Sequence, residues 1–176
     1  MEKDGRYKKI KLLFEGKLIN RFSEIFSEEV IPKTLLAKDL KKNNNQIDKL
    51  IRSPGSFKIK DVILISEFLE LTIAQLLALL EPDHHEDYRV DHSQKDKRYK
   101  HIRTLFDKGE IGIFDHIFDH IPRTKVAKDI GKSKAKIDLA RLTYTQAARI
   151  AKLTGLSPVE IFRLINAQLK QEKTDP

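Results

Sequence analysis

IPRTKVAKDIGKSKAKIDLAR, residues Ile121 to Arg141, reads as two short helices joined by a tight turn. Ala127 is small where two helices must touch, and Gly131 follows where a turn between them asks for a positive φ. Val126 and Ile130 share the inner face of the first helix, and Ile137 and Ala140 are the expected inward residues of the second. Residues 31–52, IPKTLLAKDLKKNNNQIDKLIR, repeat the arrangement with Ala37, Leu40, Ile47 and Leu50 at the packing positions. Lys41 stands there in place of Gly131, so the two copies differ at the residue that shapes the turn.

The repetition continues outward from this pair. RYKKIKLLF (Arg6 to Phe14) matches RYKHIRTLF (Arg98 to Phe106), and RFSEIF (Arg21 to Phe26) matches IFDHIF (Ile113 to Phe118), both 92 residues apart. IPKT and IPRT are 90 apart; Ile65, Leu71 and Leu76 fall on Ile150, Leu156 and Ile161 at 85. Retained apolar positions with a drifting offset are what an old tandem duplication with loop-length changes leaves behind. The expected organisation is a first repeat at 1–80, an acidic linker at 81–97 and a second repeat at 98–176. A helical unit of about 80 residues is large enough to bury a core of its own.

Composition narrows the class. Forty per cent hydrophobic residues argue against disorder, and no apolar run approaches the roughly 20 residues of a membrane helix. The first thirty residues are charged throughout and lack a secretory pattern, so a cytoplasmic protein is expected. With no cysteine, disulfides, thiolate zinc sites and cysteine nucleophiles are excluded together. The net charge of +8 is uneven: Lys and Arg outnumber Asp and Glu by 15 to 11 in residues 1–80 and by 16 to 9 in 98–176. In 81–97 the balance reverses to 3 against 6. Two basic repeats around an acidic segment point to a polyanion partner.

Taken in order, Tyr7, Ile10, Leu13 and Phe14 predict a short amphipathic helix over about 5–15, recurring at Tyr99, Ile102, Leu105 and Phe106. Leu18, Phe22, Ile25 and Phe26 mark the next helix, with Asn20 as its expected N-cap. The two helices of the hairpin follow, then Ser53-Pro54-Gly55-Ser56 as a loop. Ile59 to Leu69 forms an apolar fourth helix, whose counterpart opens at Thr143 with Gln146 as a capping box and closes at Gly155. Ser157-Pro158-Val159-Glu160 and Thr72-Ile73-Ala74-Gln75 open a fifth.

Five helices in this order, with the tight turn between the second and third, resemble the lambda-repressor-like (XRE family) helix-turn-helix domain. About 60 residues of each repeat share the resemblance, and the I-P-[KR]-T-x-x-A-K-D run is similar to helix-turn-helix proteins of Bacteroidetes-type bacteria. The fold class expected is all-α, two tandem five-helix domains of this kind, each preceded by a short extra helix. The resemblance places base readout at the start of helix three, which enters the major groove. In repeat 1 those positions are Asn43, Asn44, Asn45 and Gln46, whose amides suit adenine, with Lys49 and Arg52 further along for phosphate or guanine. An asparagine run equally favours helix caps and loops. In repeat 2 they are Ser133, Lys134 and Lys136 with Arg141, better suited to phosphate. The function implied is sequence-specific binding of double-stranded DNA by a transcriptional regulator, its two unlike recognition helices acting as a covalent pseudo-dimer. The alternative is a module of the same fold that binds a protein partner or a second copy of itself.

Histidines are the only soft candidate metal ligands. His116 and His120 lie beside Asp115 and Asp119, and His84, His85, Glu86, Asp87 and His92 crowd the linker. Neither group has a third fixed ligand, so no metal and no cofactor is expected. No phosphate-binding glycine loop or nucleophile elbow appears, so no enzyme is expected.

Overall fold

A computed structural model describes residues 5–26, 30–80, 97–131 and 137–174, which are all-α, with no β-strand among them. The chain divides into two compact units, Met1–Glu86 and Asp87–Pro176. Residues 81–96, most of the expected linker, lie outside the described residues, and Lys97 opens a helix.

The first unit contains α1 (Arg6–Glu15), a 3-10 turn at Phe22–Ile25, α2 (Lys33–Asp39), α3 (Asn44–Arg52), a 3-10 turn at Pro54–Ser56, α4 (Ile59–Leu69) and α5 (Ile73–Leu80). The second contains α6 (Lys97–Asp107), a 3-10 turn at Phe114–His116 leading into α7 (Ile117–His120), α8 (Arg123–Asp129), a 3-10 turn at Leu139–Arg141, α9 (Tyr144–Thr154) and α10 (Pro158–Thr174). No single helix among the described residues is long and apolar enough to cross a membrane. The apolar pair α4 and α5 is bent by 109°, and most of its apolar residues are buried in the first unit's core.

Matching positions do matching work in the two cores. Ile10 and Ile102, Ile25 and Ile117, Ile31 and Ile121, and Ile65 and Ile150 are each wholly buried. Phe22 meets Phe26 edge-on at 5.3 Å, and Phe114 meets Phe118 in the same way at 5.3 Å. Each fully buried aliphatic or aromatic side chain contributes about 1.5–3 kcal/mol, so a core of this kind holds a small helical unit without disulfides. The expected capping boxes form: Thr143 with Gln146, Thr72 with Gln75 and Ser157 with Glu160 exchange side-chain and backbone bonds.

The first helix of the expected five is much shorter than its apolar pattern implies. In the first unit it is the single 3-10 turn Phe22–Ile25, and Leu18 is exposed. Only Phe22 and Ile25 need burial, and residues three apart already eclipse on one 3-10 turn. Asn20 is not the cap. Its N–H and that of Arg21 donate to Glu24 Oε2 at 2.6 and 3.1 Å, and these bonds hold the Glu24 carboxyl below its ordinary range.

Among the described residues each unit has three in the left-handed conformation. The second unit uses Gly109, Gly131 and Gly155, with φ of 76°, 79° and 73°. The first places Lys17, Lys41 and Glu70 at the matching positions, with φ of 56°, 53° and 55°. Behind each of these three a six-to-one bond closes the helix end: Leu18 N–H to Leu13, Lys42 N–H to Ala37 and Leu71 N–H to Ser66, at 2.8, 2.7 and 3.0 Å. A side chain in this region costs about 1–2 kcal/mol, while a glycine adds about 0.4–1 kcal/mol of freedom to the unfolded chain. Lys17→Gly, Lys41→Gly and Glu70→Gly should therefore each stabilise the first unit by about 0.5–1 kcal/mol in urea unfolding. A lower midpoint for all three would show that the side chains hold contacts outweighing the strain.

Candidate nucleic-acid interface

The hairpin of the first unit is built around Ala37, which is 3% exposed on α2. Lys41 adopts the left-handed conformation that Gly131 adopts in the second unit, so a lysine serves where the sequence led one to expect a glycine. Lys42, on the far side of the turn, pairs with Asp61 of α4 at 3.0 Å in a half-buried position. Ile47 and Leu50 bury one face of α3, and Lys33 of α2 pairs with Asp48. The helix is thus fixed by packing on one side and by ion pairs at its flank.

Its four amides divide by role. Gln46 N–H donates to Asn43 Oδ1 and Asn43 N–H donates to Gln46 Oε1, both at 2.9 Å, so these two side chains cap α3. Both cap residues are themselves exposed. Asn44 and Asn45 remain exposed on the first turn. Asn45, Lys49 and Arg52 follow at i, i+4 and i+7, opposite Ile47 and Leu50, and form one exposed stripe about 10 Å long.

The second unit departs from this plan. Ser133, Lys134 and Lys136 lie outside the described residues. Arg141 is described, but on the 3-10 turn Leu139–Arg141, with its side chain 84% exposed and 3.6 Å from Asp138. That turn corresponds to Pro54–Ser56: each leads through one extended residue, Phe57 or Leu142, into an extended cap and the next long helix. Arg141 therefore occupies the place of Ser56, which follows α3 in the first unit. Between the left-handed residue and this turn the first unit has residues 42–53 and the second only 132–138. The five-residue deletion thus falls on the segment that supplies α3. Asp138 is extended, with φ −110° and ψ 118°, and Ala140 is exposed, so Ile137 to Arg141 do not continue a second helix as expected. Ile137 stays buried at 3% exposure.

Two arginines that the sequence did not single out serve the second hairpin internally. Arg149 donates to the Ile130 carbonyl at 2.9 Å, satisfying the end of α8. Arg123 pairs with Asp115 at 2.6 Å, lies over the Phe118 ring at 4.3 Å and donates to the Ile137 carbonyl. The sequence reading also missed a tyrosine-aspartate bond present in both units, Tyr7 to Asp39 and Tyr99 to Asp129, each 2.6 Å. Its signal was there, since RYK and AKD recur in both repeats.

The helical histidines do not converge. His116 Nδ1 accepts from Gly112 N–H at 3.2 Å, and the His120 ring lies 6.2 Å from that of His101. No group of three histidine or carboxylate side chains among the described residues is arranged to hold a metal ion. His84, His85, Glu86, Asp87 and His92 lie outside the described residues.

Comparison with protein-family models, with curated proteins and with solved structures finds no match.

Proposed function

We propose that this chain binds double-stranded DNA sequence-specifically as a transcriptional regulator of the lambda-repressor-like helix-turn-helix type, with α3 of the first unit as the reading helix. The observation that carries the reading is the stripe Asn45, Lys49 and Arg52, exposed on a capped, ion-paired helix beyond a tight turn. An amide at the start of such a helix suits the donor and acceptor of adenine, and cations one and two turns later suit phosphate or guanine. The shortened segment after Gly131 favours one reading helix per chain over a pseudo-dimer of two.

The test is a salt series with random duplex DNA. Log affinity should fall linearly with log salt, with a slope of about −0.9 for every phosphate neutralised. Binding that ignores salt, or no binding to any duplex, overturns the proposal. A second reading, a protein partner or self-association, draws on Leu12 and Leu18, which are 68% and 71% exposed where the second unit has Thr104 and Glu110. Concentration-dependent sedimentation of the DNA-free chain that Leu12→Ser abolishes would support it.

A further inference from the structure

Each unit carries a basic helix ahead of its hairpin. Lys8 of α1 and Lys100 of α6 are exposed, as are Lys38 near the end of α2 and Lys128 near the end of α8. The hydroxyl of Tyr7 donates to Asp39 Oδ2, and that of Tyr99 to Asp129 Oδ2, each at 2.6 Å. Both tyrosine side chains are 1% exposed, and a buried hydroxyl needs such an acceptor. Asp39 and Asp129 are the last residues of α2 and α8, so each bond ties the first turn of the basic helix to the corner where the hairpin turns. Lys8 follows Tyr7 and Lys38 precedes Asp39; Lys100 follows Tyr99 and Lys128 precedes Asp129. One hydrogen bond in each unit thus ties together two helix ends that each carry an exposed lysine.

Their neighbours are engaged elsewhere. Arg103 bonds Asp107 and Glu160, which raise its pKa, and Lys11 lies 3.9 Å from Glu15. The four corner lysines have no carboxylate partner among the described residues. The second unit keeps this corner although the segment supplying the reading helix is five residues shorter there.

We propose that Lys8 with Lys38, and Lys100 with Lys128, are contact sites for the phosphates of a DNA duplex, so that the second unit holds DNA without reading its sequence. This rests on the duplex-binding reading above. Ammonium groups on an anchored corner neutralise phosphates and release counterions whatever the bases, which adds affinity and salt dependence but no preference.

The experiment uses the full chain, a duplex selected for tight binding and a random duplex of equal length, followed by fluorescence anisotropy from about 50 to 200 mM salt. Lys100→Gln with Lys128→Gln should lower the salt slope by about two on both duplexes and leave the preference between them unchanged. Lys8→Gln with Lys38→Gln should do the same. The charge-matched control Lys152→Gln with Lys173→Gln alters exposed lysines far along α9 and α10 and should leave the slope alone. Equal losses in the control, or unchanged slopes in both corner variants, overturn the corner sites while salt-dependent wild-type binding keeps the duplex reading. Wild-type protein that binds no duplex overturns both.

Discussion

Ala127→Leu should destabilise the second unit by about 1–3 kcal/mol, the usual penalty for forcing extra methylenes into a packed core. Ala127 is 1% exposed, and its neighbours Val126 on α8 and Ile130 at the C-terminal cap of that helix are buried as well, at 0% and 2%. A leucine there must push α8 off its neighbours or take an eclipsed rotamer. For a unit of this size, 1 kcal/mol corresponds to about 4–8 °C, so calorimetry should show a transition lowered by roughly 5–20 °C. Thr124→Leu, exposed on the same helix, is the control and should stay within about 0.5 kcal/mol. Equal behaviour of the two variants would show that Ala127 is not at a helix crossing. Ala37→Leu should repeat the effect in the first unit, where Ala37 is 3% exposed.

The duplication was legible because a packed core restricts residue type. Ile10 with Ile102, Phe22 with Phe114 and Ala37 with Ala127 survive loop changes that surface positions do not record. Capping boxes were legible for a similar reason, since only a few side chains close that pair of bonds. The left-handed residues of the first unit were not. Propensity puts glycine at such positions, yet Lys17, Lys41 and Glu70 adopt φ of 56°, 53° and 55°, each followed by a six-to-one bond that closes the helix end. The site was half legible. Asn43 and Gln46 fit a cap and a reading surface equally well by type, and only the paired 2.9 Å bonds show the cap. The position of the deletion was hidden because Ile137 is buried whether or not it lies on a helix, so its match to Ile47 carried no information about backbone.

Asn45→Ala should weaken binding to a selected duplex by about 1–3 kcal/mol, roughly 5- to 150-fold, and relax the preference at one or two base pairs. Asn45 is exposed on the first turn of α3, in line with Lys49 and Arg52 and away from Ile47 and Leu50. Removing its amide takes nothing from the fold, so unfolding should be unchanged. Asn43→Ala makes the opposite comparison. Its side chain accepts from Gln46 N–H, and loss of such a cap costs about 0.5–2 kcal/mol of stability, weakening all duplexes together as α3 frays. Lys49→Ala should lower affinity evenly across sequences and reduce the salt slope by about one. A competition assay between the selected duplex and single-base variants resolves the three. If Asn45→Ala keeps the full preference of the wild-type chain while Lys49→Ala loses affinity, α3 lies along phosphates and the bases are read elsewhere.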